Sequence, residues 1–339
     1  MEDNTQLGRV ITGVRDNYRI ITENGEFPAR TTGRFMFTTD DSIRLPVTGD
    51  WIIAAVLDSQ AIIHDLVPRC TSLIRKSSGK GSGQQVVAAN VDTAFIIQSL
   101  DRDFNLRRLE RYLVMTYDGG VKPVILLSKR DLHEESDIQA YVNEVKSVTH
   151  GIPVLAYSAI DNSGVGTIQS LIRPRQTFCL IGSSGVGKST LINQLLGESR
   201  LDTHSVREKD SRGRHTTARR ELILLDDSGI LIDTPGMREL GISAEESSLE
   251  TVFPEIDALS EGCRYRDCFH QQEPGCAVRD AVVNGDLSQT RYASYLKLSR
   301  ELEYNAAQAD ALSRLKHKRA QKLFAKRCRQ FFLQRKPRL

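Results

Sequence analysis

The chain has 339 residues, of which 40% are hydrophobic and 26% charged, and its 46 Lys and Arg against 43 Asp and Glu give a net charge of +3. This is the composition of an ordinary folded protein, long enough for two or three domains. No apolar run reaches the roughly 20 residues that cross a bilayer, the polar start MEDNTQLGRV lacks the regions of a signal peptide, and the six cysteines are too unevenly placed for a secreted disulfide framework. We therefore expect a cytoplasmic protein with no membrane partner. We also expect a monomer.

Residues 1–70 read as a small β domain. The runs GRVITGV, YRIITENG, EFPARTT and GDWIIAAVLDSQAIIHDLVP alternate in strand fashion and are separated by turn residues. This pattern predicts a closed barrel of about five strands, of the OB type that often binds oligonucleotides, although a purely structural barrel is the alternative. The following stretch SSGKGSGQQ is rich in Gly and Ser and predicts a flexible linker or a mobile loop.

Strands and helices alternate in the next domain, which we place at 71–246. The runs VDTAFIIQS, KPVILLS, PVLAYSA and TFCLI predict buried strands, while LRRLERYLVMTYDGG and SDIQAYVNEVKSVTH predict helices. This order predicts an α/β fold with a doubly wound, parallel sheet. The run RRELILLDDSGILIDTPG adds a strand pair joined through its DDSG turn.

A phosphate-binding motif lies between a predicted strand and a predicted helix. The stretch GSSGVGKS, starting at Gly182, fits G-x-x-x-x-G-K-[ST]. Gly182, Gly185 and Gly187 permit a tight loop whose amides converge on phosphate, and the helix N-terminus adds partial positive charge. Lys188 would reach the β and γ phosphates, and Ser189 would ligate Mg²⁺. The residues expected around the phosphates are Gly182, Ser183, Ser184, Gly185, Val186, Gly187, Lys188, Ser189 and Thr190.

Two later segments supply candidates for sensing the γ-phosphate. In LIDTPG, Asp233 follows an apolar strand and would hold Mg²⁺ through water, and the Gly236 amide would contact the γ-phosphate. The polar segment RGRHTTARR offers Thr216 or Thr217 as a Mg²⁺ ligand that can leave after hydrolysis. The sequence does not decide between the two threonines.

The stretch LLSKRDL supplies a candidate reader of the base. Ser128, Lys129 and Asp131 fit [NST]-K-x-D, and a carboxylate accepts two hydrogen bonds from guanine that adenine cannot donate. Lys129 would pack along the base, and Ser158 and Ala159 would support it from the opposite side. Taken alone, the four residues are also compatible with a polar turn after a strand.

The order of the motifs is permuted, because the base reader precedes the phosphate loop. With GRV and VTGDW in the barrel, PRCTSLIRK, FNLRRLERYL, RGRHTT and CRYRDCFHQQEPGCAV, the chain resembles the circularly permuted, small-subunit-dependent GTPases of the RsgA or YjeQ family. The resemblance implies an OB barrel, a permuted P-loop GTPase domain and a zinc domain. It also implies GTP hydrolysis in late maturation of the small ribosomal subunit, with rRNA as a partner.

Two positions depart from the expected pattern. Ser128 stands where the family usually has Asn, so a side-chain amide contact to the base is lost. Met237 follows DTPG where Ras-like enzymes place a water-orienting Gln, and the histidine that some relatives carry nearby is absent. His215 is then the candidate for positioning the catalytic water, against a structural or rRNA-contacting role. The catalytic candidates are Lys188, Thr217 and His215.

The last segment, 247–339, contains a cysteine-rich motif. Cys263, Cys268, His270 and Cys276 form C-x4-C-x-H-x5-C, a ligand set suited to one structural Zn²⁺ with no open position for catalysis. A disulfide or unligated thiols are the alternatives. Otherwise this segment predicts helices, the last of them long and basic.

The C-terminal basic run completes a proposed mechanism. From residue 311 onward it carries eleven Lys and Arg and no acid, so the rest of the chain has a net negative charge. This asymmetry is a footprint of nucleic-acid binding, although a solvated helix face is the alternative. We expect GTP to hold a clamp on rRNA and hydrolysis to release it, with slow turnover in the absence of the subunit. The other interpretations are an rRNA-binding module that nucleotide only tunes, and an ATP-dependent kinase or transporter, which SKRD disfavours.

Overall fold

A computed structural model describes the chain over residues 5–14, 17–33, 43, 45–57, 59–76, 84–197, 220–225, 229–234, 244 and 246–308. The first five strands close into a barrel with the order β1-β2-β3-β5-β4. Inward-facing Val10, Ile20, Ile52 and Ile63 are fully buried at its centre. The predicted five-stranded barrel is therefore confirmed. Its strands are β1 (Thr5–Val14), β2 (Asn17–Thr22), β3 (Gly25–Thr31), β4 (Trp51–Leu57) and β5 (Gln60–Leu66).

A short antiparallel sheet follows the barrel. It consists of β6 (Ser72–Lys76) and β7 (Gln84–Ala89), which among the described strands pair only with each other. The Gly- and Ser-rich stretch, predicted to be a linker or a mobile loop, ends in the first two residues of β7. Residues 77–83 themselves lie outside the described residues.

The central sheet has six strands in the order β10-β9-β8-β11-β13-β12. All neighbours run parallel except β12, which pairs antiparallel with β13 as the DDSG turn predicts. The strands are β8 (Thr93–Ser99), β9 (Lys122–Ser128), β10 (Val154–Ala156), β11 (Thr177–Ile181), β12 (Glu221–Leu225) and β13 (Gly229–Asp233).

Helices cover both faces of this sheet, as a doubly wound fold requires. Leu109 of the first helix and Ile138 of the second pack on one face, and Ile168 and Leu191 of the next two pack on the other. The chain order of the strands reverses between β8 and β11, and such a reversal opens a crevice for ligands at the carboxyl ends of the strands. The helices are α1 (Leu106–Asp118), α2 (Glu135–Thr149), α3 (Val165–Leu171) and α4 (Lys188–Leu196).

Within residues 246–308, the part of this region that the structure describes, the chain is mainly helical apart from the cysteine-rich motif, as predicted. Phe253, Val278 and Leu298 from this region share one buried cluster with Tyr112 and Leu113 of α1. Among the described helices, none combines the length and apolarity needed to cross a membrane. The basic run from residue 311 lies outside the described residues. The helices are α5 (Glu246–Val252), α6 (Pro254–Ser260), α7 (Ala277–Asn284) and α8, residues 289–308.

Arg9 joins the barrel to the central sheet. Its guanidinium is 5% exposed and donates to the Gly49 carbonyl at 3.2 Å, the Asn90 carbonyl at 3.1 Å and the Thr177 hydroxyl at 2.8 Å. Gly49 has a φ of +94°, and a Cβ there would meet the Ala89 carbonyl oxygen at 2.2 Å. The VTGD turn thus permits a close approach of the barrel to the end of β7.

Candidate nucleotide-binding site and metal centre

The phosphate loop has the geometry that its sequence predicts. It leaves β11 after Ile181 and enters α4 at Lys188, with Gly185 and Gly187 at φ values of +84° and +94°. A Cβ on Gly182 would lie 2.7 Å from the Ile97 carbonyl oxygen. These glycines are therefore required by backbone conformation and by the close approach of β8.

Lys188 occupies the inside of this loop. Its ammonium donates to the carbonyls of Gly182 at 2.8 Å and Ser183 at 2.6 Å. Burial lowers the pKa of Lys188 to about 8, against the opposing effect of the Asp233 and Asp103 carboxylates. A nucleotide phosphate brought to this position would stabilise the charged ammonium and restore its pKa.

Asp233 ends β13 beside the strand that leads into the phosphate loop. It is buried next to Leu180, its partner in the parallel ladder. Burial raises the pKa of Asp233, while Lys188 acts in the opposite direction. Its carboxylate and the Ser189 hydroxyl are oxygen ligands of the kind that Mg²⁺ takes, so this edge fits the ion. Four further predicted residues, His215, Thr216, Thr217 and Gly236, lie outside the described residues.

The base-reading residues follow β9 and β10 at the same edge of the sheet. Lys129 has a φ of +63°, and the exposed Asp131 sits in the single 3₁₀ turn Arg130–Leu132. The two loops are joined, because the Arg130 amide donates to the Tyr157 carbonyl at 3.2 Å. The loop of Ser158 and Ala159 is tied in turn to α4, since the Gln194 amide donates to the Ala159 carbonyl at 3.1 Å.

Ser128 connects the base reader to the phosphate loop. Its side chain is 2% exposed, and its hydroxyl donates to the Val186 carbonyl at 2.7 Å. The expected loss of an amide contact to the base stays a prediction, but this hydroxyl has a role that the motif does not reveal. Through it, the structure brings together the two motifs that the sequence places 58 residues apart.

Asp101 and Asp103 also belong to this site, and the sequence analysis missed them. The Asp101 carboxylate accepts from the Lys129 ammonium at 2.6 Å, and Asp103 accepts from the Ser183 hydroxyl at 2.5 Å. Both follow the buried strand β8 at the reversal of strand order. Polar residues directly after a parallel strand meet others at the same edge, and this rule could have identified them.

The four predicted zinc ligands converge on one point. The ligand atoms of Cys263, Cys268, His270 and Cys276 all lie within 4.8 Å of one another. His270 Nδ1 is 3.5 Å from the Cys263 sulfur and 3.4 Å from the Cys276 sulfur. His270 has a φ of +58°, and its carbonyl accepts from the Tyr292 hydroxyl of α8.

The spacing of the sulfurs fits a metal better than a disulfide. Cys263 and Cys276 sulfurs are 3.9 Å apart, close to the roughly 3.8 Å edge of a tetrahedron with metal–sulfur bonds of about 2.3 Å. A disulfide would need about 2.05 Å. Burial raises the pKa of Cys276 to about 12, and a bound dication would stabilise its thiolate. The cluster therefore fits a structural Zn²⁺.

Comparison with known proteins agrees with this geometry. The RsgA GTPase family model matches residues 66–243, more than half of the chain. "Small ribosomal subunit biogenesis GTPase RsgA 2" of Listeria monocytogenes is 43% identical over 302 residues, covering 89% of this chain and 85% of that protein. "Small ribosomal subunit biogenesis GTPase RsgA" of Opitutus terrae is 42% identical over 317 residues, covering 90% of this chain and 86% of that protein.

The chain belongs to the RsgA GTPase family. It is accordingly a GTP hydrolase, with GTP, GDP and Mg²⁺ as its ligands.

Two solved structures share the RsgA fold. YjeQ from Thermotoga maritima aligns with a TM-score of 0.65 at 24% identity, over 88% of this chain and 98% of that one. YloQ, described as a circularly permuted GTPase, aligns with a TM-score of 0.62 at 25% identity, over 89% of this chain and 97% of that one. The predicted permutation is confirmed.

Proposed function

We propose that this RsgA-family GTPase acts in late maturation of the small ribosomal subunit, binding rRNA in the GTP state and leaving after hydrolysis. Relatives that this chain matches over most of their length are named small ribosomal subunit biogenesis GTPases. The observation that carries the proposal is the contact between base reader and phosphate loop, made by Ser128 and Val186. It assembles a guanine nucleotide site from motifs in permuted order.

We assign each residue of this site a separate role. The Asp131 carboxylate accepts hydrogen bonds from the N1 and N2 donors of guanine. Ser158 and Ala159 contact the other side of the base. Lys188 and the loop amides bind the β and γ phosphates. Ser189 and Asp233 would hold Mg²⁺, which neutralises charge on the phosphates when bound. We assign the closing ligand to Thr216 or Thr217 and the positioning of water to His215.

The permutation explains how hydrolysis could release the subunit. Strand β13 ends at Asp233, and the chain then runs into α5 and the zinc region, so a change at the γ-phosphate acts on that region directly. The barrel, which precedes the central sheet in the chain, is fastened to it through Arg9. Barrel and zinc region would thus grip rRNA from two sides in the GTP state. We propose that the protein does this as a cytoplasmic monomer.

Single-turnover GTP hydrolysis with and without purified small subunits tests this function. The wild type should hydrolyse GTP slowly alone and at least about a hundredfold faster with subunits, since partner-supplied groups contribute on this scale in related enzymes. Lys188→Ala should be slow in both conditions. A wild-type rate indifferent to the subunit would favour the second candidate, an rRNA-binding module in which turnover is incidental.

A further inference from the structure

The loop of residues 101–105, between β8 and α1, contacts both halves of the nucleotide site. Asp101 holds the Lys129 ammonium of the base reader at 2.6 Å, and Asp103 holds the Ser183 hydroxyl of the phosphate loop at 2.5 Å. The Ser183 carbonyl also accepts from Lys188 at 2.6 Å. Ser183 thus links Asp103 to the Lys188 ammonium, which a bound phosphate would attract.

The same loop is fastened to the first turn of α1. Asn105 is the N-cap and accepts from the Arg108 amide at 3.1 Å. The Arg108 guanidinium bonds both oxygens of Asp103, at 2.9 and 2.8 Å. A displacement of Asp103 must therefore move the start of α1, because a bidentate ion pair and a cap resist separation.

The second turn of α1 is fastened to the zinc region. Glu110 and Arg291 of α8 form an ion pair at 2.6 Å, with side chains only 3% and 7% exposed. The Ser294 hydroxyl also donates to Glu110, and Arg111 makes a bidentate pair with Glu301 at 2.7 Å for both bonds. Breaking a buried ion pair is costly, so α8 should follow α1.

Arg291 extends the connection to the helices around the metal cluster. It donates to the Glu255 carboxylate at 2.5 Å and to the Val252 carbonyl at 2.6 Å. Its neighbour Tyr292 donates to the carbonyl of the zinc ligand His270. The path from phosphate loop to metal cluster consists of described contacts throughout.

We propose that α1 transmits the state of the phosphate site to the zinc region, with Asp103 as the positioning residue at one end and the Glu110–Arg291 pair at the other. The proposal rests on the proposed function, because it supplies a second route by which hydrolysis would reach the rRNA-binding region. A triphosphate brings negative charge beside Lys188, and Asp103 carries the like charge. Repulsion should shift the 101–105 loop and, through α1, α8.

Hydrogen exchange of the full-length protein tests this route without ribosomes. Backbone exchange in residues 289–308 is measured with GDP and with the non-hydrolysable guanylyl imidodiphosphate, both saturating. In the wild type the two states should differ on the order of fivefold or more in exchange rate, the lower range of allosteric coupling. Asp103→Asn should lose most of this difference, because the amide can still accept from Ser183 but lacks the charge. Asp137→Asn, an exposed acid on α2, is the matched control and should keep it.

A second variant acts at the opposite end, where folding is at less risk. Glu301→Gln weakens the outer, partly exposed pair with Arg111, and should reduce the nucleotide-dependent difference without changing GDP affinity. Equal exchange in both nucleotide states of the wild type overturns the proposal, as does a full difference in both Asp103→Asn and Glu301→Gln. Either result leaves subunit-stimulated hydrolysis standing, whereas loss of that stimulation with intact coupling would refute only the proposed function.

Discussion

We propose that Asp131 determines the base through the acceptors it presents. Its carboxylate can accept from both N1 and N2 of guanine, whereas an Asn amide offers one acceptor and one donor. Asp131→Asn should therefore weaken GDP binding by roughly a hundredfold, the effect of two charge-assisted hydrogen bonds. Xanthosine diphosphate, which carries a carbonyl in place of the N2 amino group, should bind the variant better than the wild type.

Equilibrium binding of the two nucleotides to both proteins measures this exchange of specificity. Asp137→Asn serves again as the control, since it removes an exposed acid that is not part of the base-reading motif. An Asp131→Asn protein that still prefers GDP over xanthosine diphosphate would show that this carboxylate does not read the base.

Lys188 makes nucleotide affinity depend on pH. Burial lowers its pKa to about 8 in the free protein, and bound phosphate should raise it again, so binding takes up a proton when the pH is above 8. GDP affinity should fall about fourfold between pH 7 and pH 8.5, following the protonated fraction. The pH dependence of folding has the opposite sign. Between pH 8 and 10.5 the unfolded chain binds more protons at Lys188 than the folded chain does, so the free energy of unfolding increases as the pH rises through this range.

Titration calorimetry of GDP binding across this range is the measurement, and Lys188→Ala is the control. Any titration of the nucleotide itself persists in that variant. A pH dependence of equal size in both proteins would assign the effect to the nucleotide rather than to Lys188.

Sequence reasoning reached the residues of this site where a motif demands a backbone shape or a charge. The P-loop glycines and Asp233 are examples, because their neighbours in the chain define their surroundings. The role of Ser128 could not be predicted, since its partner Val186 comes close only when β9 and β11 enter one sheet. The same holds for Asp103, whose partners Ser183 and Arg108 come from two different elements.

Among the elements, the VTGD turn shows how a single glycine sets the distance between two domains. Gly49 and Gly25 both have positive φ, at +94° and +117°, but only Gly49 faces a close neighbour, the Ala89 carbonyl at 2.2 Å from a built Cβ. Gly25→Ala should lower the free energy of unfolding by about 1–2 kcal/mol through backbone strain alone. Gly49→Ala should lower it further, because the barrel must also move off the sheet.

Chemical denaturation of the two variants compares them directly. Equal losses of unfolding free energy would mean that the barrel adjusts freely against β7, contrary to the fixed contact described above. The sequence predicted the barrel from alternation within each strand, but the Arg9 contacts join residues up to 168 positions apart and have no local pattern.

We expect the stability of the Cys and His cluster to depend on a bound zinc ion. Cys276→Ser should reduce bound zinc from one ion per chain to a small fraction and lower the melting temperature, because the ion supplies folding energy to this region. Cys70→Ser, at an exposed cysteine outside the cluster, should retain both zinc and stability. Elemental analysis with thermal unfolding measures both, and full zinc content in Cys276→Ser would exclude this residue as a ligand.

At the scale of the whole molecule, the order of the motifs predicted the permuted fold, and the order of elements predicted the doubly wound sheet. The packing of α8 against α1 had no such signal, because Glu110 and Arg291 look like ordinary surface charges in their helices. Their burial makes the zinc region part of the same core as the nucleotide domain. This shared core would let a change at one phosphate reach the zinc region, as we propose.

Affinity for purified small subunits in different nucleotide states tests this central claim most directly. Cosedimentation or light scattering would compare the wild type with guanylyl imidodiphosphate, with GDP and without nucleotide, and Lys188→Ala under the same conditions. We predict binding at least about tenfold tighter with the analogue than with GDP, a coupling free energy of about 1.4 kcal/mol or more, and no such difference in Lys188→Ala. Equal affinity of the wild type in the analogue and GDP states would contradict the account.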